Sequence, residues 1–156
     1  MAKILLVWAS GGVIALAALN NVADRDTGME FVGNVLSMKT TFQSPLRRRA
    51  ITSGHVHQVM FNLIILWEAL VTCLCTTGGV QMIRHLESEA EEFHEAKKWA
   101  VWGLVTQMLL FLVAFRGVAG QWFAMWQSPK FNGLPDAHRL FQVASAILLV
   151  LMQKDN

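Results

Sequence analysis

Phe61-Asn-Leu-Ile-Ile-Leu-Trp-Glu-Ala-Leu-Val-Thr-Cys-Leu-Cys75 carries a single carboxylate, Glu68, in a run otherwise almost free of charge. With its apolar flanks the run is long enough to lie in lipid. A carboxylate at that depth costs about 2.5–3.5 kcal/mol on insertion scales. A chain tolerates this only where the group faces a partner, a water-filled cavity or a functional site. The stretch therefore predicts a spanning helix in an intramembrane bundle with a polar interior feature.

Composition agrees. Of 156 residues, 54% are hydrophobic and only 15% are Asp, Glu, Lys or Arg, against about 25% in ordinary soluble domains. Mean hydropathy is +0.40. This is the balance of one integral membrane domain, residues 1–156, with short loops. The net charge of +2 is small and scattered, which argues against a nucleic-acid partner. Cys73 and Cys75 lie two apart in an apolar helix, where their side chains diverge. They read as buried packing thiols.

Four apolar segments follow in order, at about 4–22, 56–83, 99–118 and 137–152. Each approaches the roughly 20 residues that a spanning helix needs, the last being the shortest. The first has some features of a secretory signal, with Lys3 before it and small residues around Ala15-Leu-Ala17. We read it as a retained span. The expected fold is an all-α, four-helix transmembrane bundle, with both termini on one side.

The connections differ in character. The first, Ala23 to Gly54, places Phe31, Val32, Val35 and Met38 near one helical face, an amphipathic segment suited to the membrane interface. Pro45 and Arg47-Arg48-Arg49 follow, the latter reading as a lipid-headgroup clamp. The second, Arg84 to Lys98, is acidic and without a helix breaker, so the helices are expected to continue through it. The third holds Trp122, Phe123 and Trp126, which read as interfacial anchors. Five Lys or Arg fall on the terminal side and eight on the other, which favours the long first loop inside.

On the second helix, positions eleven apart share a face, because eleven residues make close to three turns. His57, Glu68 and Gly79 line up there, with Thr72 and Cys75. Small and polar stripes are how membrane helices meet. Matching surfaces are Ser10, Gly11 and Gly12 on the first helix, Gly103, Thr106 and Gln107 on the third, and Ser145 on the fourth. Gln107 is the expected partner of Glu68, so Glu68, Gln107 and His57 form the candidate intramembrane polar site. Ser10 and Asn62 are the other candidate partners of Glu68. Two roles are open to it: a hydrogen-bonded pin of helix register, or a group that titrates or binds a ligand.

Five histidines raise the question of haem, because imidazole pairs on facing helices hold b-type haems. His57 and His85 are 28 residues apart, about 42 Å along a helix, and cannot share a hydrocarbon core of about 30 Å. One haem at the His57/His138 end is the surviving version. No cofactor and no metal are expected. No phosphate loop, nucleophile elbow or metalloprotease motif is present, so no catalytic residue is assigned.

Several stretches in this order resemble a known family. They are Leu19-Asn-Asn21, Asn34-Val-Leu-Ser-Met38 with Thr40-Thr-Phe42, Arg49-Ala-Ile-Thr-Ser53, His57 to Glu68-Ala-Leu70, and Gly120 to Ser128 with Asn132-Gly133. They resemble bacterial predicted small integral membrane proteins of unknown function. Trp122-Phe-Ala-Met-Trp-Gln-Ser128 is the most specific tract. The chain departs from that pattern at Lys39 and Gln121, where the family has acids, and near Phe131, where it has tryptophan. The resemblance implies four spans in the bacterial inner membrane. It also implies that the first and Trp-rich loops face the periplasm, against the charge count. It implies no activity.

The reading from sequence is a non-enzymatic inner-membrane protein. Its partners are membrane lipids and other membrane-protein subunits, making it an accessory subunit of a larger respiratory or photosynthetic complex. The alternative is a small transporter or ligand-binding membrane protein that uses Glu68.

Overall fold

A computed structural model describes residues 1–155. The helices are α1 (Ala2–Ala23), α2 (Arg25–Leu36), α3 (Gly54–Arg84), α4 (Ala90–Ala96), α5 (Lys98–Leu109) and α6 (Leu134–Met152). The chain of α5 continues as a π-helical segment over Leu110–Trp122. Short 3-10 turns occupy Pro45–Arg49 and Met125–Gln127. Four helical stretches are long and apolar enough to cross a membrane: Ala2–Ala23, Gly54–Arg84, Ala90–Trp122 and Leu134–Met152. The all-α bundle expected from hydropathy is the observed architecture.

Local chemistry sets the helix ends. Asp24 caps α2 by accepting the Thr27 N–H at 3.2 Å, and Ser53 starts α3 by accepting from Val56 N at 3.5 Å. Such caps satisfy backbone donors that the first turn leaves unpaired. The Asn132 side chain accepts the Leu134 N–H at 3.1 Å, and Pro135 sits in the first turn of α6, where its missing N–H costs nothing.

The 31 residues of α3 extend about 46 Å, well beyond the hydrocarbon core of about 30 Å. One helix cannot cover that length. Instead α1 and α2 run one after the other along it: Gly11 meets Cys75, Gly28 meets Phe61 and Gly33 meets His57. The apolar face expected on α2 is present, with Val32, Val35, Leu36 and Met38 buried. It is turned onto protein as well as placed near the span ends.

Two cores result. The bundle core joins α1, α3, α5 and α6 around Val7, Val71, Cys75, Leu104 and Ala144. Its tightest layer is Cys75 between two glycines. A Cβ on Gly11 would stand 2.6 Å from the Cys75 Cβ, and one on Gly103 would stand 2.7 Å from its Sγ. The second core is a cap at the other end of α3, where α2, Phe61, Phe123, Met125 and Phe131 pack together.

Three expectations need correction. Of the two cysteines read as buried thiols, Cys75 is buried but Cys73 is exposed. Phe123 is not an interfacial anchor, being 4% exposed. The backbone turns into the left-handed region at Ala124, with φ 52°, and Phe123 joins the cap core. Trp122 and Trp126 do face outward, at 54% and 51% exposed. The acidic connection is not continuous helix either. α3 stops at Arg84, and only the α4 side runs through Lys97 into α5.

Candidate functional site

Glu68 lies on α3 level with the end of α1, and 6% of its surface is exposed. The Asn21 side-chain amide donates to its Oε2 at 2.9 Å. The Thr72 hydroxyl donates to the Glu68 carbonyl at 2.9 Å, a bond within the helix that leaves the carboxylate alone. Among the described residues Oε1 accepts no hydrogen bond, yet no buried side-chain polar atom lacks a partner. The free oxygen therefore opens onto space.

That space is a cleft of about 320 Å³ between α1, α2 and α3. Its polar wall is Asn20, Asn21, Asp24, Thr27 and Glu68. No lysine, arginine or histidine lines it among the described residues. Arg25 is adjacent in sequence but not part of the lining: it donates to Asn62 Oδ1 at 2.7 Å and stands 5.3 Å from the centre of the ring of Phe61, a residue of the cleft wall.

The three residues grouped from sequence do not come together. Gln107 is not the partner of Glu68. Its Oε1 accepts the Ser10 hydroxyl at 2.9 Å, deep in the bundle. Ser10 and Asn62 do not bond Glu68 either. The register of α1 on α3 places Ser10 beside the Cys75 layer and Asn21 beside Glu68. His57 is about 16 Å further along α3, with Nε2 against the Ile51 carbonyl at 2.7 Å. His138 lies on α6, with Nδ1 2.9 Å from the Arg116 guanidinium. Each of these histidines thus has a protein group at one ring nitrogen. No cluster of three or more His, Cys, Asp or Glu suited to a metal ion occurs among the described residues.

Asn20, Asn21, Asp24 and Thr27 belong to the site and were not assigned to it from sequence. The signal was the asparagine pair at the end of an apolar span. An amide pair there reads as the start of a loop until the register against α3 is known.

The family model described as "Predicted small integral membrane protein (DUF2165)" matches residues 1–154. No curated protein and no solved structure matches the chain.

Proposed function

The chain belongs to that family of predicted small integral membrane proteins, and from this premise we propose that it is a non-enzymatic membrane protein that binds a small ligand at Glu68. The observation that carries this reading is the free Oε1 of a nine-tenths buried carboxylate, facing a cleft with four further polar residues. An intramembrane acid that only pinned two helices would use both oxygens on protein groups. Here Asn21 holds only one of the two oxygens, and Ser10 with Gln107 supplies a further pin between α1 and α5.

Binding is favoured over passage. Two turns below Glu68, the layer of Gly11, Cys75 and Gly103 packs without room for an added methyl group. That layer supports a dead-end site. No metal or cofactor is part of the proposal, and the bacterial cytoplasmic membrane is the proposed location.

A hydrophobic carbodiimide tests the site in the full chain reconstituted in lipid nanodiscs. Glu68 is expected to form the adduct, mapped by mass spectrometry, and Glu68→Gln to lose it. A Glu68 left unmodified while Glu87 and Glu89 react would show a closed carboxylate and sink the reading.

A second reading, an accessory subunit of a larger complex, is favoured by the outer face of α1. Leu5, Leu16 and Leu19 are more than half exposed there, and Gly12 between them has open space where a side chain would stand. A stoichiometric partner retained through mild-detergent purification from native membranes would support it, and a chain that runs alone would remove it.

A further inference from the structure

The Glu68 cleft has an apolar neighbour. A second cavity, of about 280 Å³, lies between α2, α3 and the π-helical segment, lined by residues such as Val35, Met60, Trp67 and Val118. Its wall is almost entirely hydrocarbon. Phe31, Val32, Ile64 and Phe115 line both cavities, so a polar chamber and an apolar one share a partition. This is the division that one amphiphile would need: a head of a few polar atoms beside a flexible apolar tail.

The sign of the head follows from the polar wall. It holds two carboxylates, Glu68 and Asp24, and no cationic side chain among the described residues. Asp24 Oδ1 is occupied by the Thr27 N–H and Glu68 Oε2 by Asn21. What remains toward the cleft is hydrogen-bond acceptor capacity. An anionic head would be repelled. A cationic head that donates hydrogen bonds would meet Glu68 Oε1, with the Asn20 and Asn21 amides beside it. The apolar cavity lies on the cap side of the cleft, with Val35, Leu36, Met60 and Phe123 in its wall.

We propose that these two cavities form one site for a membrane amphiphile with a primary ammonium head and a single apolar tail, the head on Glu68 and the tail beside Trp67. The inference rests on the ligand-binding reading above and names the ligand class. The head's hydrogen bond to Glu68 is charge-assisted, so replacing this carboxyl should weaken binding about tenfold or more.

The probes are an ω-bromoalkylamine and the ω-bromo fatty acid of the same chain length, added to the full chain in phosphatidylcholine nanodiscs. Bromine quenches a nearby indole. The amine is expected to quench tryptophan emission saturably, to lose that component in Trp67→Phe, and to shield Glu68 from the carbodiimide. The fatty acid is expected to do none of these. Glu68→Gln should shift the amine titration about tenfold or more. Because the amine and acid are compared on the unaltered chain, the result does not depend on how a variant folds. Equal quenching by acid and amine, or quenching that survives Trp67→Phe, overturns the inference. Carbodiimide modification of Glu68 that the amine neither blocks nor slows would also overturn it, while leaving the cleft as a ligand site. Absence of any modification would remove both.

Discussion

A methyl group on Gly78 would collide with the backbone nitrogen and Cα of Ala100, which no rotamer change can move aside. Gly12, one helix away, has nothing within 4 Å of the same added atom. The pair separates two roles of glycine that look alike in sequence. Gly78→Ala is expected to push α3 and α5 apart and destabilise by about 1–3 kcal/mol. Gly12→Ala should stabilise by about 0.5–1 kcal/mol, because alanine favours helix and meets no obstacle. Unfolding midpoints in detergent micelles read both. Equal effects at the two positions would mean that the close contact of α3 and α5 is wrong. The same scale shows what the sequence could and could not disclose about the site. Glu68 was legible, since a lone acid in an apolar run demands an explanation. Its partner was not. Gln107 and Asn21 are both amides on neighbouring helices, and choosing between them requires the register of α1 against α3. That register is set by glycine contacts distant in the chain, Gly11 on Cys75 and Gly28 on Phe61.

The amphipathic helix α2 shows the same lesson for a whole element. Its apolar face was readable from Phe31, Val32, Val35 and Met38, but what the face meets was not. Only the length of α3 decides that. A 31-residue helix outruns α1 and leaves an apolar flank that α2 covers. Gly28 is the fitting, for the Phe61 ring occupies the place of its missing side chain. Gly28→Val should therefore lift α2 from α3 and loosen the loop behind it, where Ile51 N–H reaches the Leu36 carbonyl at 2.8 Å. Trypsin cleavage at Arg47, Arg48 and Arg49 is expected to accelerate several-fold, with cleavage at Lys97 and Lys98 unchanged. Uniform acceleration at both places would indicate global unfolding and defeat the idea of a local clamp. The π-helical segment after Leu109 had no counterpart in the sequence reading, which expected one regular helix. Gly117 and Gly120 lower the preference for a regular helix there. Phe115 is packed against both cores, and Gly120 approaches Leu134 at 2.9 Å from its missing Cβ. A segment that must serve α6 on one side and the cap on the other is under competing demands.

At the scale of the molecule, hydropathy disclosed the four spans, while the two ends of the bundle owe their structure to contacts across the chain. One end is the cap. The other is closed by the C-terminal tail, which the sequence analysis did not single out. Asp155 lies 2.7 Å from the Lys3 ammonium and also pairs with Lys97, which is 2% exposed. Lys3 donates in addition to the Gln153 carbonyl at 2.6 Å. Three parts of the chain meet there: the start of α1, the junction of α4 and α5, and the tail beyond α6. A buried ammonium left without its counter-ion is costly. Asp155→Asn should therefore destabilise by about 1–3 kcal/mol, which at roughly 2–4 °C per kcal/mol is a fall of several degrees in Tm. The pH dependence has a definite sign. Burial pushes the Asp155 carboxyl up, but hydrogen bonds from Lys3 and Lys97 outweigh it and hold the group below its usual range. A carboxyl depressed in the folded state contributes stability that is complete above the unfolded value, about 3.9, and is lost as pH falls through the folded one. The Tm difference between the native chain and Asp155→Asn should thus be steady from about pH 7 to 5 and shrink below about pH 4. A difference that persists undiminished at lower pH would show that the tail is held by something other than this carboxylate. No difference at any pH would show that it is not held at all.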